Sequence, residues 1–351
     1  MGLFDNVLSS QESLLKNEAP LDYEFLPKLI PYRESEQQYL ATCIKPLFAN
    51  RTGRNVLLYG APGIGKTAAV RHVLRDLEEE TDDIFVVYCN CWKQNTSYKV
   101  LVEICEQLGY RFTQNKKTTE LFNVASSLIN KKSAVLVFDE IDKAEDFDFL
   151  YTFVEELYKK TIILITNYKS WLFELDERIR SRLLAELVEF KHYSLEECFG
   201  ILKERVDYAF MSGVISDDSL QLIAKKTHQL KDIRSGLFLL RESALLAEEQ
   251  SQKAISQSIV EKAITKLDEF TSKRTEELDD ESRFVHSLIT QHSGKKIGDL
   301  FAEYQLAGGK ASYKTFQRRI NKLDEGNYIK VTKKVGVGGN TTIIEKKLTD
   351  F

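Results

Sequence analysis

Four short apolar runs punctuate the first half of the chain, at residues 56–59, 84–88, 134–138 and 161–166. Each is rich in β-branched residues and nearly free of charge, the pattern of a strand covered on both faces. Between them apolar residues recur three and four apart, as in Val70, Val73, Leu74 and Leu77, which predicts amphipathic helices. Strands alternating with helices make a doubly wound α/β parallel sheet, whose ligands bind beyond the carboxyl ends of the strands. From about Tyr193 to Leu278 the periodicity is helical throughout. After Ser282 it changes again. Helical spacing around residues 284–289, 297–304 and 312–325 gives way to strand-like runs at 328–335 and 341–344, joined by Gly336-Val337-Gly338-Gly339-Asn340. Three helices followed by a hairpin with a flexible tip predict a winged helix.

A chain of 351 residues, 43% of them hydrophobic, can bury a large core and should hold two or three domains. No apolar run approaches the roughly 20 residues that span a bilayer, so no membrane partner is expected. The five cysteines form no C-x-x-C pair, as suits free thiols in a reducing cytoplasm. The net charge of −4 hides an asymmetry. From Glu281 onward 13 Lys and Arg face 7 Asp and Glu, a net of +6 that leaves −10 for the rest. A basic module on an acidic body suggests an anionic partner such as nucleic acid.

The sharpest chemical signal follows the first strand. Gly60-Ala61-Pro62-Gly63-Ile64-Gly65-Lys66-Thr67 is a phosphate-binding loop set between a strand and a helix. Gly63 and Gly65 let successive backbone N–H groups curl around phosphate oxygens. The helix N-terminus, with Ala68 in its first turn, adds partial positive charge. Lys66 can reach the β- and γ-phosphates and the Thr67 hydroxyl can ligate Mg²⁺, so ATP or ADP with Mg²⁺ is the expected ligand. At the end of the 134–138 strand stand Asp139, suited to the metal, and Glu140, suited to orienting the attacking water. Asp142 supports the site or caps a helix. Asn167 ends the next strand, where it either holds the water or γ-phosphate or is a turn residue.

Arg178, Arg180 and Arg182 alternate and would fan out on a helix. One of them presented to a neighbouring subunit's γ-phosphate would be an arginine finger; a solvated basic face is the other reading. Arg234 falls in the first turn of the helix opened by Lys231-Asp232-Ile233, where the dipole favours anions. It therefore faces either the nucleotide's γ-phosphate or a salt-bridge partner. In the last module Lys314, Arg318 and Lys322, with Gln317 and Asn321 beside them, lie opposite Phe316, Ile320 and Leu323. Such a helix can place cations on phosphates and amides on base edges. Lys333, Lys334 and Asn340 add to this at the hairpin, although winged helices also serve as protein docks.

In this order and spacing the parts resemble the archaeal replication initiators, relatives of the origin-recognition-complex subunits and the cell-division-control helicase loader. Leu29-Ile30-Pro31-Tyr32-Arg33-Glu34 resembles that family's adenine-side segment. Asn90-Cys91, Thr96-Ser97-Tyr98-Lys99-Val100-Leu101 and Leu108-Gly109 resemble its stretch after the second strand, and Glu204-Arg205-Val206 with Lys231-Asp232-Ile233-Arg234 its lid. The resemblance covers nearly the whole chain. It implies an AAA+ ATPase domain over residues 1–190 (1–30 being an N-terminal extension), an all-α lid over 191–278 and a winged helix over 279–351.

By position the resemblance puts Tyr32 beside the adenine, Asn167 as the first sensor and Arg234 as the lid sensor. Arg182 matches the arginine finger, with Arg180 the second candidate. A helix inserted near residues 112–122 makes Lys116 and Lys117 candidate DNA contacts. The implied partners are double-stranded origin DNA, the replicative minichromosome maintenance helicase, and paralogous initiators or a second copy on DNA. The implied location is cytoplasmic, at the nucleoid, with ATP hydrolysis as a slow switch. Three features depart from the pattern, one being that the segment near residues 112–122 is more polar than the inserted helix of the family. Ala61-Pro62 and Ile64 replace a Lys-Thr and a Thr at positions that contribute backbone, and Lys231 replaces a Gly. The competing readings are a signalling or defence ATPase whose winged helix docks protein, and a clamp-loader-like subunit.

Overall fold

The apolar runs pair with one another as the interior of a parallel sheet. The computed structural model describes residues 13–276, 279–292, 294–325, 328–336 and 339–346. In chain order the elements are α1 (Glu34–Ile44), β1 (Val56–Tyr59), α2 (Lys66–Glu80), β2 (Ile84–Asn90), α3 (Ser97–Gln107), α4 (Thr118–Ile129) and β3 (Ser133–Asp139). Next come α5 (Asp148–Glu156), β4 (Lys160–Thr166), α6 (Trp171–Glu174), α7 (Glu177–Leu183) and β5 (Glu186–Glu189). The helices α8 (Leu195–Ala209), α9 (Asp217–Leu230), α10 (Ile233–Glu249) and α11 (Gln257–Glu276) follow. The chain continues with α12 (Asp280–Gln291), β6 (Lys295–Lys296), α13 (Ile297–Leu306), α14 (Tyr313–Glu325), β7 (Ile329–Gly336) and β8 (Gly339–Lys346).

The chain falls into two compact units and passes from one to the other after Leu21, within α8 after Arg205, and on either side of Lys231–Ile233. One comprises Asp22–Arg205 with Lys231–Ile233; the other comprises the described residues up to Leu21, Val206–Leu230 and those from Arg234. In the first, five parallel strands run in the order β2-β3-β4-β1-β5. Every residue of β3 and β4 is buried, as a strand covered on both faces requires. Leu57, Leu136, Phe138 and Leu164 pack with α3–α7 around an aromatic cluster in which Phe138 lies 4.9 Å from Phe149. β5 escapes the sequence pattern because Glu186-Leu187-Val188-Glu189 is an edge strand with a carboxylate at each end. The helix expected near residues 112–122 begins only at Thr118. Asn115 takes a left-handed φ of 60° and Lys117 caps the helix, so Lys116 and Lys117 lie in the turn before it.

In the second unit, residues 13–21 pack with the lid helices rather than extending the sheet domain: the Leu14 N–H donates to Glu248, and Leu15 bridges Phe210. α12, α13 and α14 surround a core of Val285, Ile289, Leu300, Tyr304, Phe316 and Ile320, closed by an antiparallel sheet in the order β6-β8-β7. This is a winged helix. Gly309 packs flat on the Tyr304 ring, where a Cβ would lie 2.3 Å from its atoms. All five cysteines are free and buried. Among the described residues no helix is long and apolar enough to cross a membrane.

Because Phe138 is fully buried, replacing it by Ala should cost about 3–5 kcal/mol through lost burial and a residual cavity. Urea unfolding measures this as a lower midpoint at unchanged slope; a loss below about 1 kcal/mol would show that the aromatic cluster does not hold this unit together.

Candidate nucleotide site

The phosphate loop lies between β1 and α2, and its glycines have the conformations that its curl demands. Gly63 and Gly65 have φ of 69° and 86°, the left-handed region that a side chain strains. A loop that gathers its N–H groups turns its carbonyls outward, and each buried carbonyl needs a donor. Gly60 O and Ala61 O accept from Lys66 Nζ, both at 2.8 Å. Gly63 O accepts from the Ile233 N–H at 3.1 Å, and Gly65 O from the Ala69 N–H at 2.9 Å. Ile64 O accepts from the Arg33 guanidinium at 3.0 Å. The loop is thus held from outside by the segment before α1 and by the first residue of α10.

These outer supports are themselves fixed. Arg33 is buried, bonds also to Lys191 O at 2.6 Å and Glu36 at 3.1 Å, and lies 4.0 Å from the centre of the Tyr193 ring. Burial pushes the Tyr193 hydroxyl up to about 12, so it remains neutral beside the guanidinium. Asp232 is buried against Gly63, where a Cβ would come within 1.8 Å of its Oδ1. Lys231 supplies the turn into this contact with a φ of 58°, the conformation for which a Gly is the usual residue. The Ile64 side chain, expected to matter only as backbone, is buried with its Cδ1 against Gly60.

At the carboxyl end of β3 the oxygen ligands converge. The Thr67 hydroxyl donates to Asp139 Oδ2 at 2.7 Å, and the Tyr88 hydroxyl donates to the same oxygen at 2.6 Å. Burial and the neighbouring carboxylate push Tyr88 up, which keeps it a donor. A hydroxyl and a carboxylate side by side are the hard donors Mg²⁺ takes. Among the described residues no three His, Cys, Asp or Glu converge into a self-sufficient metal site. A cation here would complete its shell with phosphate oxygens and water. Glu140 follows with a φ of 52°, a left-handed conformation that costs roughly 1–2 kcal/mol, and its N–H bonds Asp139 Oδ1 at 2.9 Å. Asn167 Oδ1 accepts from Lys66 Nζ at 2.9 Å. The preceding Thr166 donates to Asp142 at 3.0 Å, so Asp142 is a support for the end of β4.

The remaining sequence candidates are distributed around this centre. Tyr32, half-exposed with a φ of 64°, brings its hydroxyl against Gly200 of α8. Pro62 and Ala68 lie partly exposed on the loop and the first turn of α2. On α7, Arg178 pairs with Asp176 at 2.9 Å, while Arg182 reaches Glu155 at 3.5 Å and lies over the Tyr151 ring. Arg180 lies half-buried between them. Arg234 stands in the first turn of α10, directly after the residue that bonds Gly63 O.

On α14, Phe316, Ile320 and Leu323 are buried while Lys314, Arg318 and Lys322 are exposed and Gln317 is half-buried. Arg319 instead turns to Asp279 at 2.8 Å and Glu281 at 3.1 Å, and Lys322 lies 3.9 Å from Asp279. Lys333, Lys334 and Asn340 stand on the paired strands β7 and β8, but their side chains, and residues 337–338 of the tip, lie outside the described residues. Sequence reasoning missed Tyr88 and the Asp232 contact altogether, and gave Arg33 no role.

A family model described as an AAA domain matches residues 49–170, and one described as the Cdc6 AAA+ ATPase-type lid domain matches residues 199–265. The chain is 31% identical to ORC1-type DNA replication protein 2 of Methanosarcina acetivorans, over 98% of this chain and 96% of that one. It is 32% identical to ORC1-type DNA replication protein 1 of Archaeoglobus fulgidus, over 92% and 84%. Its fold is similar to that of the Aeropyrum pernix ORC1 protein in complex with DNA, with a TM-score of 0.70 at 24% identity over 96% and 95% of the two chains. Cdc6p from Pyrobaculum aerophilum is similar at a TM-score of 0.66 and 18% identity, over 95% of each chain.

Two substitutions test the geometry. Tyr88→Phe removes one donor to the Asp139 carboxylate, worth roughly 1.5–3 kcal/mol for a charged acceptor; ATP turnover should fall about tenfold while fluorescent ADP still binds. Gly63→Ala places a methyl on Asp232 at a left-handed φ, and the same binding assay should show affinity reduced by about tenfold or more. Wild-type values for either variant would rule out the support assigned to that residue.

Proposed function

The chain belongs to the family of ORC1-type DNA replication proteins, and from that membership we propose that it starts replication by gripping origin DNA under the control of bound nucleotide. The chain is an AAA+ ATPase; ATP, ADP and Mg²⁺ are the ligands its oxygen and N–H donors suit. The observation that carries the reading is the direct bond from Ile233, one residue before Arg234, to the carbonyl of Gly63. Through it the entry to the lid helix α10 and the phosphate loop share a hydrogen bond.

In this reading the loop N–H groups and the N-terminus of α2 bind the phosphates. Lys66 exchanges the carbonyls of Gly60 and Ala61 for phosphate oxygens. Thr67 and Asp139 would hold Mg²⁺, which would supply charge neutralisation for the nucleotide's phosphates. Glu140 orients the attacking water, with Asn167 beside it, and Arg234 reads the γ-phosphate from the lid. Arg182, held by an exposed ion pair that is cheap to break, is offered to a neighbouring subunit's nucleotide. Tyr32 closes the adenine side. Lys314, Gln317, Arg318 and Lys322 meet double-stranded DNA, with Lys333, Lys334 and Asn340 at the wing. This reading assigns nucleotide binding to residues 1–190, the lid to 191–278 and DNA binding to 279–351. Recruitment of the replicative helicase, and assembly with paralogues or further copies on DNA, follow as outputs of the switch.

Lys66→Ala should abolish ATP binding, whereas Glu140→Gln should bind ATP and turn over at least about a hundredfold more slowly. Rapid hydrolysis by the Glu140→Gln protein would refute its role. Footprinting on chromosomal DNA should give discrete protected repeats that differ between ATP and ADP, and Arg318→Ala should erase them. Diffuse binding that fades steeply with salt would instead mean phosphate contacts without a preferred sequence.

A further inference from the structure

A second recess opens on the sheet unit, between α1 and the far end of α2. It has a volume of about 750 Å³. Ile44, Val73 and Leu77 give it an apolar wall, and at its mouth Leu29 and Phe48 are 67% and 51% exposed. Glu80, at one end of its lining, lies fourteen residues beyond Lys66 on the same helix. At 1.5 Å per residue that is about 21 Å from the phosphate loop. That end of the recess, where Asp76, Leu77 and Glu80 stand, is therefore apart from the seat of the phosphates, whereas Leu29, Ile30, Pro31 and Glu34 at its other side belong to the adenine-side segment.

Its charge is one-sided. Glu34, Asp76, Glu80 and Glu204 line it, and His72 is the one lining side chain that can carry positive charge. His72 is already held, with Nε2 2.7 Å from Lys28 O and Nδ1 3.4 Å from Asp76. Asp76 and Glu80 are four residues apart, so they form a short acidic ridge beside the apolar wall. Exposed apolar side chains next to an acidic ridge suit a helix with one apolar face and Lys or Arg flanking it.

We propose that this groove docks a basic amphipathic helix of a protein partner. The sign of the charge decides against the other occupants. Nucleic acid would be repelled. The chain's own first twelve residues carry Asp5 and Glu12 and no Lys or Arg. A neutral apolar ligand would leave the acidic ridge without a counterpart. The inference does not rest on the DNA-gripping role, since α1 and α2 would present this groove whatever the winged helix binds.

The test uses the full chain and a labelled Leu/Lys peptide of roughly four helical turns, about 14 residues, with Leu at positions i, i+3 and i+4. Fluorescence anisotropy should show this peptide binding at least about tenfold more tightly than a scrambled peptide of the same composition, and a Leu/Glu counterpart failing to bind. Asp76→Lys with Glu80→Lys should weaken binding at least about tenfold, and the milder Asp76→Asn with Glu80→Gln should weaken it in the same direction. Reversing Asp218 and Glu261 on the lid helices should change nothing, and fluorescent ADP should bind the Asp76 and Glu80 variants as it binds the parent. Phe48→Ala should also weaken the peptide. Equal affinity for the scrambled peptide, or indifference to the Asp76 and Glu80 changes, would overturn the proposal. So would peptide binding that appears only after residues 1–12 are removed, which would make the chain's own start the occupant.

Discussion

A peptide loop that turns its N–H groups toward one point must turn its carbonyls away, and those carbonyls must be satisfied by something else. Much of the nucleotide site follows from this constraint. Lys66 serves the carbonyls of Gly60 and Ala61, Arg33 that of Ile64, and Ile233 that of Gly63. The segment before α1 and the start of α10, separated by about two hundred residues of chain, are therefore both written into the shape of one short turn. A change in that turn is felt by both segments because a buried carbonyl left without a donor costs roughly 1–3 kcal/mol.

The electrostatics of the two ends of the chain follow opposite rules. At the sheet, two hydroxyls from different elements converge on a single carboxylate oxygen of Asp139, and Glu140 is held in a strained backbone conformation beside it. Strain of this kind persists where the surroundings over-determine it, and here β3, Tyr88 and Thr67 do so. At the winged helix the cations are sorted rather than gathered. Asp279 and Glu281 take Arg319 into an internal ion pair, whereas Lys314 and Arg318 remain on the exposed side of α14. Counting Lys and Arg in this module therefore overstates the charge available to an anion.

The inner strands were legible in the sequence because a strand buried on both faces has no room for charge. β5 was not, since an edge strand with alternating exposure reads as loop, and the two-residue β6 has no pattern at all. The phosphate loop, Asp139 and Asn167 could be placed because they occupy the ends of readable strands. Tyr88 and Arg33 could not be given their roles. Tyr88 meets Asp139 across 51 residues and Arg33 meets Ile64 across 31, and no local spacing encodes such contacts. The helix expected near residues 112–122 does not form over 112–117, because Asn115 adopts a left-handed turn and the next helix, α4, starts at Thr118. Such a turn is open to Asn and hard to foresee from one sequence.

Lys231–Ile233 belongs to the sheet unit although the residues on either side belong to the other. Neither unit is then a contiguous length of chain, and the familiar cut between a nucleotide domain and its lid would remove the donor of Gly63 O. The same three residues set a limit on length. A residue inserted or lost there would shift Ile233 out of register with the phosphate loop, or remove the left-handed turn at Lys231. Loops elsewhere on the surface can lengthen at little cost. Here the number of residues is itself part of the nucleotide site, so variation in this family member should be found in what those positions carry rather than in how many there are.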